Sequence, residues 1–193
     1  MINFRKVEFI KSATSYLDKP TKDLPEVLFV GKSNVGKSSL INALCDNKNL
    51  AFTSSKPGFT KLLNYFEVDN TFYLVDAPGY GYTISGSRHL DSFAKMMESY
   101  FKNSHLKGVV FIIDSRHKLS KDDEDFYHFL NDNDIPFILV ASKVDKLNQS
   151  EKAALKRNIK DIDENLEFIS LSSLKGIGLD SLKSKISQLV VKK

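Results

Sequence analysis

The stretch Gly31 to Ser39, reading Gly-Lys-Ser-Asn-Val-Gly-Lys-Ser-Ser, constrains this chain more than any other. It follows an apolar run, Val27-Leu28-Phe29-Val30, that predicts a buried strand, and it precedes Leu40, Ile41 and Leu44 at the spacing of a helix inner face. Strand, then G-x-x-x-x-G-K-S, then helix is the context a phosphate-binding loop requires. Gly31 and Gly36 are expected to let the backbone turn tightly and approach a ligand. The amides of the loop, through Lys32, Ser33, Asn34, Val35 and Ser39, would then bind phosphate oxygens at a helix N-terminus. Lys37 is expected to reach the β and γ phosphates, and Ser38 to ligate Mg²⁺. The plain alternative is an ordinary Gly-rich turn.

The 193 residues suit one domain over 1–193, with 1–24 as an N-terminal extension holding an edge strand. The only cysteine is Cys45, so no disulfide framework forms within the chain, which suits a reducing compartment. Cys45 itself reads as a small buried hydrophobe. The longest apolar runs, such as Val109 to Ile113, are too short to span a membrane, and the charged N-terminus does not read as a secretory signal. A formal charge of +4 permits contact with RNA without demonstrating it. Only Arg5, Arg88, Arg116 and Arg157 supply guanidinium groups, so attraction to a phosphate backbone is favoured over base reading.

Strand-like and helix-like patterns alternate along the chain. Phe4, Val7, Phe9 and Ile10 predict the edge strand. Asp46 to Lys61, polar and centred on Pro57-Gly58, reads as a long functional loop. Leu63 to Val68 and Phe72 to Val75 read as a hairpin joined by the two-residue link Asp69-Asn70, and Tyr80 to Ser87 is a second Gly-rich loop. Leu90, Phe93, Ala94, Met97 and Phe101 recur at helical spacing. Val109 to Ile113 closes on Asp114 as a buried strand. Ser120 reads as an N-cap of a helix that buries Phe126, Phe129 and Leu130. Phe137 to Ala141 is the next strand. Asn148 with Glu151 forms a capping-box pattern opening a helix to about Asp161. Phe168 to Leu171 and a final helix with Leu179, Leu182, Ile186 and Leu189 complete the pattern. The predicted fold is three-layer α/β: a mostly parallel sheet with one antiparallel strand and helices on both faces, as in P-loop nucleotide hydrolases. In such a sheet, Gly31, Asp76, Ser142 and Ser172 gather on one edge.

That edge has a chemistry. Asp76, in Asp76-Ala77-Pro78-Gly79, is placed to reach Mg²⁺ through water. Gly79 leaves its amide free to approach a γ-phosphate. Asp145, in Ser142-Lys143-Val144-Asp145, suits guanine: its carboxylate accepts from the ring N1–H and the exocyclic amine together. Lys143 can lay its stem over the base. Leu171-Ser172-Ser173-Leu174-Lys175 is expected to close the base pocket with backbone amides. No Cys/His spacing predicts zinc, since His89, His105, His117 and His128 lie in unrelated places. Arg116-His117-Lys118, Lys121, Lys183, Lys185, Lys192 and Lys193 are either RNA contacts or a solvated face.

In their order, these motifs resemble a translation-factor-type GTPase domain. Phe29 to Leu44, Pro57-Gly58-Phe59-Thr60 and Asp76-Ala77-Pro78-Gly79-Tyr80-Gly81-Tyr82 resemble, more narrowly, the EngB (YihA/YsxC) family of bacterial ribosome-assembly GTPases, within the TrmE-Era-EngA-EngB-like group. The resemblance covers nearly the whole chain. It implies that Thr60 ligates Mg²⁺ when GTP is bound. It implies that 46–61 and 80–87 are switch loops, and that Lys37, Thr60 and Gly79 serve catalysis. It also implies a cytoplasmic monomer that binds GTP and GDP and acts on the large ribosomal subunit or its precursor, with no membrane or DNA partner. Three positions depart from the pattern: Ser142 stands where Asn or Thr is usual, Ser173 where Ala is, and Phe59 where a basic residue often is. Tyr80 occupies the place of a water-orienting glutamine, which predicts slow intrinsic hydrolysis raised by a partner or an ion. Asn34 has two readings, a K⁺ ligand beside the phosphates or a hydrogen-bonding residue of the loop. Arg88 reads as a solvated loop residue rather than an internal arginine finger. A kinase on the same loop is disfavoured by the lack of an Arg-rich lid, and a binding module without turnover is the third class.

Overall fold

The structure is a computed structural model that describes residues 2–52, 62–80, 96–102 and 105–191. Among these, seven strands form one sheet in the order β1-β3-β4-β2-β5-β6-β7. They are β1 Val7–Ala13, β2 Glu26–Gly31, β3 Leu63–Val68, β4 Phe72–Asp76, β5 Leu106–Asp114, β6 Phe137–Ser142 and β7 Phe168–Ser170. The helices are α1 Lys37–Leu44, α2 (96–102), α3 Lys121–Asp132, α4 Gln149–Lys160 and α5 Leu179–Val191. β3 runs antiparallel to both β1 and β4, and the remaining pairs are parallel. The expected three-layer fold with one reversed strand is therefore what forms.

The layers follow from side-chain alternation in β2, all six of whose residues are buried. Val27 and Phe29 pack with Leu40, Ile41 and Leu44 of α1 and Leu182 and Ile186 of α5. Leu28 and Val30 point the other way, into a second core with Tyr100 of α2, Leu130 of α3 and Leu155 and Ile159 of α4. A strand with apolar residues on both faces needs helices on both faces, which is why its sequence shows no polar alternation.

Local signals set the element ends. Ser120 caps α3 and Asn148 caps α4, each in a reciprocal capping box, with Asp123 and Glu151 as the returning carboxylates. In the β3–β4 hairpin, Asp69 and Asn70 both adopt left-handed φ, and the Thr71 amide donates to the Val68 carbonyl at 2.9 Å. Pairing closes at Val68–Phe72, so Thr71 joins Asp69 and Asn70 in the link, one residue more than the sequence suggests. Phe129 is a second correction. It is 37% exposed, because the buried face of α3 runs through Asp123, Tyr127 and Leu130, leaving Phe129 at its margin against Phe101. Cys45 is buried, and burial pushes its thiol up to about 12, as fits an inert core residue.

Candidate functional site

The C-terminal ends of β2, β4, β5 and β6 bring the predicted motifs together through strand register. Phe29 pairs with Asp76, Gly31 with Ile112, and Asp114 with Ser142. The Ala77 amide donates to the Phe29 carbonyl at 3.1 Å, pinning the Asp76–Gly79 segment to β2.

Within the loop, the two glycines do different work. Gly36 carries φ 101 at the N-cap of α1, a conformation that disfavours any side chain. Gly31 is needed for space instead: a Cβ there would meet the Ile112 carbonyl at 2.5 Å. The expectation that both serve a tight turn is corrected for Gly31, whose neighbour is the adjacent strand. Gly79 is a close approach of the same kind, since a Cβ would lie 2.8–2.9 Å from Ser33 atoms. The Asp-x-x-Gly segment thus rests directly on the loop, and the Ser33 amide donates to the Tyr80 carbonyl at 3.1 Å.

Lys37 and Asp76 form a buried ion pair, their side chains 8% and 3% exposed. Two charges taken out of water need close partners, and here each is the other's. A phosphate and a cation are the natural replacements, one for each member. Ser38 follows directly on α1, and Ser39 is exposed beside it. No cluster of three or more His, Cys, Asp or Glu suited to a metal occurs among the described residues. One carboxylate and one hydroxyl match instead a hard cation that arrives on a nucleotide and keeps water and phosphate ligands.

The base motif is tied to the loop at two points. The Ser142 hydroxyl, buried, shares its proton between the Val35 carbonyl at 2.8 Å and the Ile113 carbonyl at 2.9 Å. Serine therefore provides an anchor at this departure from the pattern. Lys143, at φ 62, passes its stem 3.7 Å from the Cβ position of Gly36. Its ammonium donates to the Asn34 carbonyl at 2.7 Å and to Asp114 Oδ2 at 2.8 Å. Asn34 is exposed and also left-handed, at φ 64. It joins the loop's bonding through its backbone carbonyl, and no bond to its side chain occurs among the described residues.

Asp145 lies across from the end of β7. The Ser172 hydroxyl donates to Asp145 Oδ1 at 2.6 Å, and this bond holds the carboxyl below its ordinary range against the opposing desolvation, with Lys146 and Lys175 adding lesser lowering effects. The amides after β7 are partly committed elsewhere: Ser172 N–H donates to the Ile177 carbonyl and Lys175 N–H to the Ser172 hydroxyl, both at 3.1 Å. Ser172 thus reaches the site through its hydroxyl rather than its amide. Leu171 is buried, its amide donating to the Ala141 carbonyl at 2.8 Å, while Val144 N–H donates to the Leu171 carbonyl at 3.1 Å. Ser173 is half-buried beside them. Pro57, Gly58, Phe59, Thr60, Gly81 to Ser87, Arg88, Lys192 and Lys193 lie outside the described residues.

The family described as 50S ribosome-binding GTPase matches residues 26–143, which span the loop, Asp76 and the start of the base motif. The chain belongs to this GTPase family. It is a GTP hydrolase whose ligand is a guanine nucleotide. It is 43% identical over 185 residues to a probable GTP-binding protein EngB of Streptococcus sanguinis, covering 93% of this chain and 94% of the relative. It is 45% identical over 182 residues to the like-named protein of Mesoplasma florum, covering 91% of each. A solved structure of a probable GTP-binding protein engB overlays with TM-score 0.68 at 26% identity, over 87% of this chain and all of that one. The GDP·AlF4⁻-bound Era of Aquifex aeolicus overlays with TM-score 0.72 at 27% identity, over 89% of this chain. This chain spans 58% of that Era's length.

Two residues of this GTPase, Asp114 and Asn42, escaped sequence reasoning as contributors to the site, as did the partner of Tyr80. Asp114 was legible only as a strand end. Asn42, buried on α1, donates to the Lys48 and Ala51 carbonyls and accepts from the Ala51 amide, tying down residues 48–51. Tyr80 donates its hydroxyl to Asp123 Oδ1 at 2.7 Å, while Asp123 Oδ2 accepts from the Ser120 amide and hydroxyl. Its ring rests on Phe126, so Tyr80 is directed at the α3 cap. Beside the loop, a cavity of about 310 Å³ is lined by Lys32 to Val35 and by Arg116, His117 and Lys118.

Proposed function

We propose that this GTPase is a nucleotide-controlled switch that assists assembly of the large ribosomal subunit. The match of residues 26–143 to 50S ribosome-binding GTPases carries the reading. The EngB-named relatives support it over more than nine-tenths of both chains. In this reading the loop amides from Gly31 to Ser39 cradle the phosphates, Lys37 leaves Asp76 for the β and γ phosphates, and Gly79 approaches the γ-phosphate by its amide. Ser38 and Thr60 hold Mg²⁺ directly, and Asp76 holds it through water. When bound, the ion supplies charge neutralisation across the β and γ phosphates. Asp145 reads guanine, with Lys143 along the base plane and the Ser173 and Leu174 amides at its far side. Loops 46–61 and 80–87 respond to the γ-phosphate, and Ala77 and Pro78 belong to the nucleotide-binding segment between Asp76 and Gly79.

Slow intrinsic hydrolysis belongs to this reading, because Tyr80 stands in the place of a water-orienting glutamine and commits its hydroxyl to Asp123. The exposed Asn34 side chain favours K⁺ as the supplementary positive charge, so hydrolysis in potassium is expected to outpace hydrolysis in sodium. Arg116, His117, Lys118 and Lys121, all exposed, are the residues best placed for ribosomal RNA. Of the lysines near the end of the chain, Lys183 lies 5.9 Å over the Phe4 ring, and Lys185 pairs with Glu167 at 3.2 Å, so these two are engaged within the fold. The protein acts as a cytoplasmic monomer, and no helix among the described residues is long and apolar enough to cross a membrane.

Co-sedimentation with separated ribosomal subunits tests the assembly role. The GTP-analogue form is expected to pellet with large subunits, the GDP form less, and both less as salt rises. The solved Era complex that contains nucleotides 1506–1542 of 16S ribosomal RNA makes the contrary result concrete. Binding to small subunits instead, or binding indifferent to nucleotide, would overturn the reading.

A further inference from the structure

Asp114 ends β5 in register with Ser142 on β6, so its carboxylate emerges beside Lys143. Both oxygens are occupied by cations. Oδ2 accepts from Lys143 Nζ at 2.8 Å and from Arg116 Nη2 at 2.7 Å. Oδ1 accepts from Arg116 Nε at 2.9 Å and from the Arg116 amide at 3.1 Å. The Asp114 side chain is 18% exposed, Lys143 27% and Arg116 43%, so the carboxylate is the most shielded member of the cluster. Lys143 meanwhile touches the Asn34 carbonyl at 2.7 Å. Its tip is thus fixed between the end of β5 and the phosphate loop, with its stem along Gly36.

A lysine stem left to itself samples many rotamers, and a nucleotide that needs one of them loses affinity in selecting it. A carboxylate that already holds the ammonium removes that loss before binding. We propose that Asp114 is a positioning residue for guanine-nucleotide binding, acting through Lys143, with Arg116 as an outer clamp that keeps the carboxylate aimed. The proposal rests on the reading of Lys143 and Asp145 as the base site. It also gives Arg116 a role distinct from contact with RNA.

The test is a double-mutant cycle on release of a fluorescent GDP analogue, read by stopped flow. Asp114→Ala is expected to speed release about tenfold, and Lys143→Ala at least as much. The double variant is expected to release no faster than Lys143→Ala alone, because Asp114 acts only through that lysine. Fold-changes that multiply would overturn the proposal, since a merely structural carboxylate would add its own effect. Arg116→Ala should speed release less than Asp114→Ala; a larger effect would show that the carboxylate serves Arg116 instead and would also overturn it. If Asp114→Ala does not fold, Asp114→Asn keeps one acceptor for Lys143 and is expected to speed release about threefold; unchanged release would overturn it. Asp145→Asn separates the two readings. If that variant keeps native GDP affinity, the base site itself has been misassigned. If it loses GDP while the cycle multiplies, only the role of Asp114 fails.

Discussion

Tyr80 sits one residue past Gly79, and its hydroxyl is engaged by Asp123 at 2.7 Å. Burial pushes the phenol well above its ordinary range, and the neighbouring Asp123 carboxylate adds to this, so the group stays a neutral donor. Tyr80→Phe removes one hydrogen bond to a charged acceptor and is expected to cost about 2 kcal/mol in denaturant melts. The same variant should hydrolyse GTP at the native rate. A marked fall in rate with little loss of stability would mean that the hydroxyl reaches the attacking water. This geometry was not legible in the sequence, because the partner lies 43 positions away on a helix cap. The candidacy of Asp145 as a guanine reader came from its neighbours in sequence. Its orienting hydroxyl from Ser172 was not, because the sequence pattern pointed to the amides there.

Among the elements, α1 does more than present Lys37 and Ser38. Its Asn42 makes three hydrogen bonds, at 3.0, 3.0 and 2.7 Å, that hold the chain from Lys48 to Ala51 against the helix. This fixes residues 48–51, which begin the segment proposed above as a switch loop. Asn42→Ala leaves buried groups at Ala51 without partners and is expected to cost about 2–3 kcal/mol. Hydrogen exchange should rise first at residues 48–51. Uniform exchange across α1 and β2 instead would argue that Asn42 supports the whole helix. The strands, the caps of α3 and α4 and the reversed strand β3 were all visible as patterns, because period and capping are local properties. Phe129 was misread because helical spacing gives a face but not its width. The role of Gly31 was misread because its neighbour belongs to another strand.

For the molecule as a whole, the sheet joins two ends with different demands. At the end opposite the nucleotide edge, Glu26 begins β2 only 1% exposed, and its carboxylate accepts from the Tyr100 hydroxyl of α2 at 2.6 Å. Burial raises its pKa above the ordinary value, opposed by the Tyr100 bond and by Lys19 and His105. A raised value in the native state means the folded protein keeps a proton that the unfolded chain has released. Its contribution therefore weakens as pH rises from the unfolded value through the folded one. Glu26→Gln retains an acceptor for Tyr100 without the charge. Its melting midpoint is expected to exceed the native one at about pH 8, with the gap closing toward about pH 4. A gap independent of pH would show that Glu26 is ionised in both states.

The nucleotide edge carries the central claim, that Asp145, oriented by Ser172, makes this GTPase a reader of guanine. The direct measurement is the affinity of the native protein and Asp145→Asn for GDP, ADP and xanthosine diphosphate. The native protein is expected to prefer GDP to ADP by at least about 1000-fold, because a buried hydrogen-bonding site strongly rejects the base that lacks its partners. Asp145→Asn should lose GDP and gain xanthosine diphosphate, whose ring presents an acceptor where guanine presents the exocyclic amine. Retention of tight GDP binding by Asp145→Asn would contradict the account.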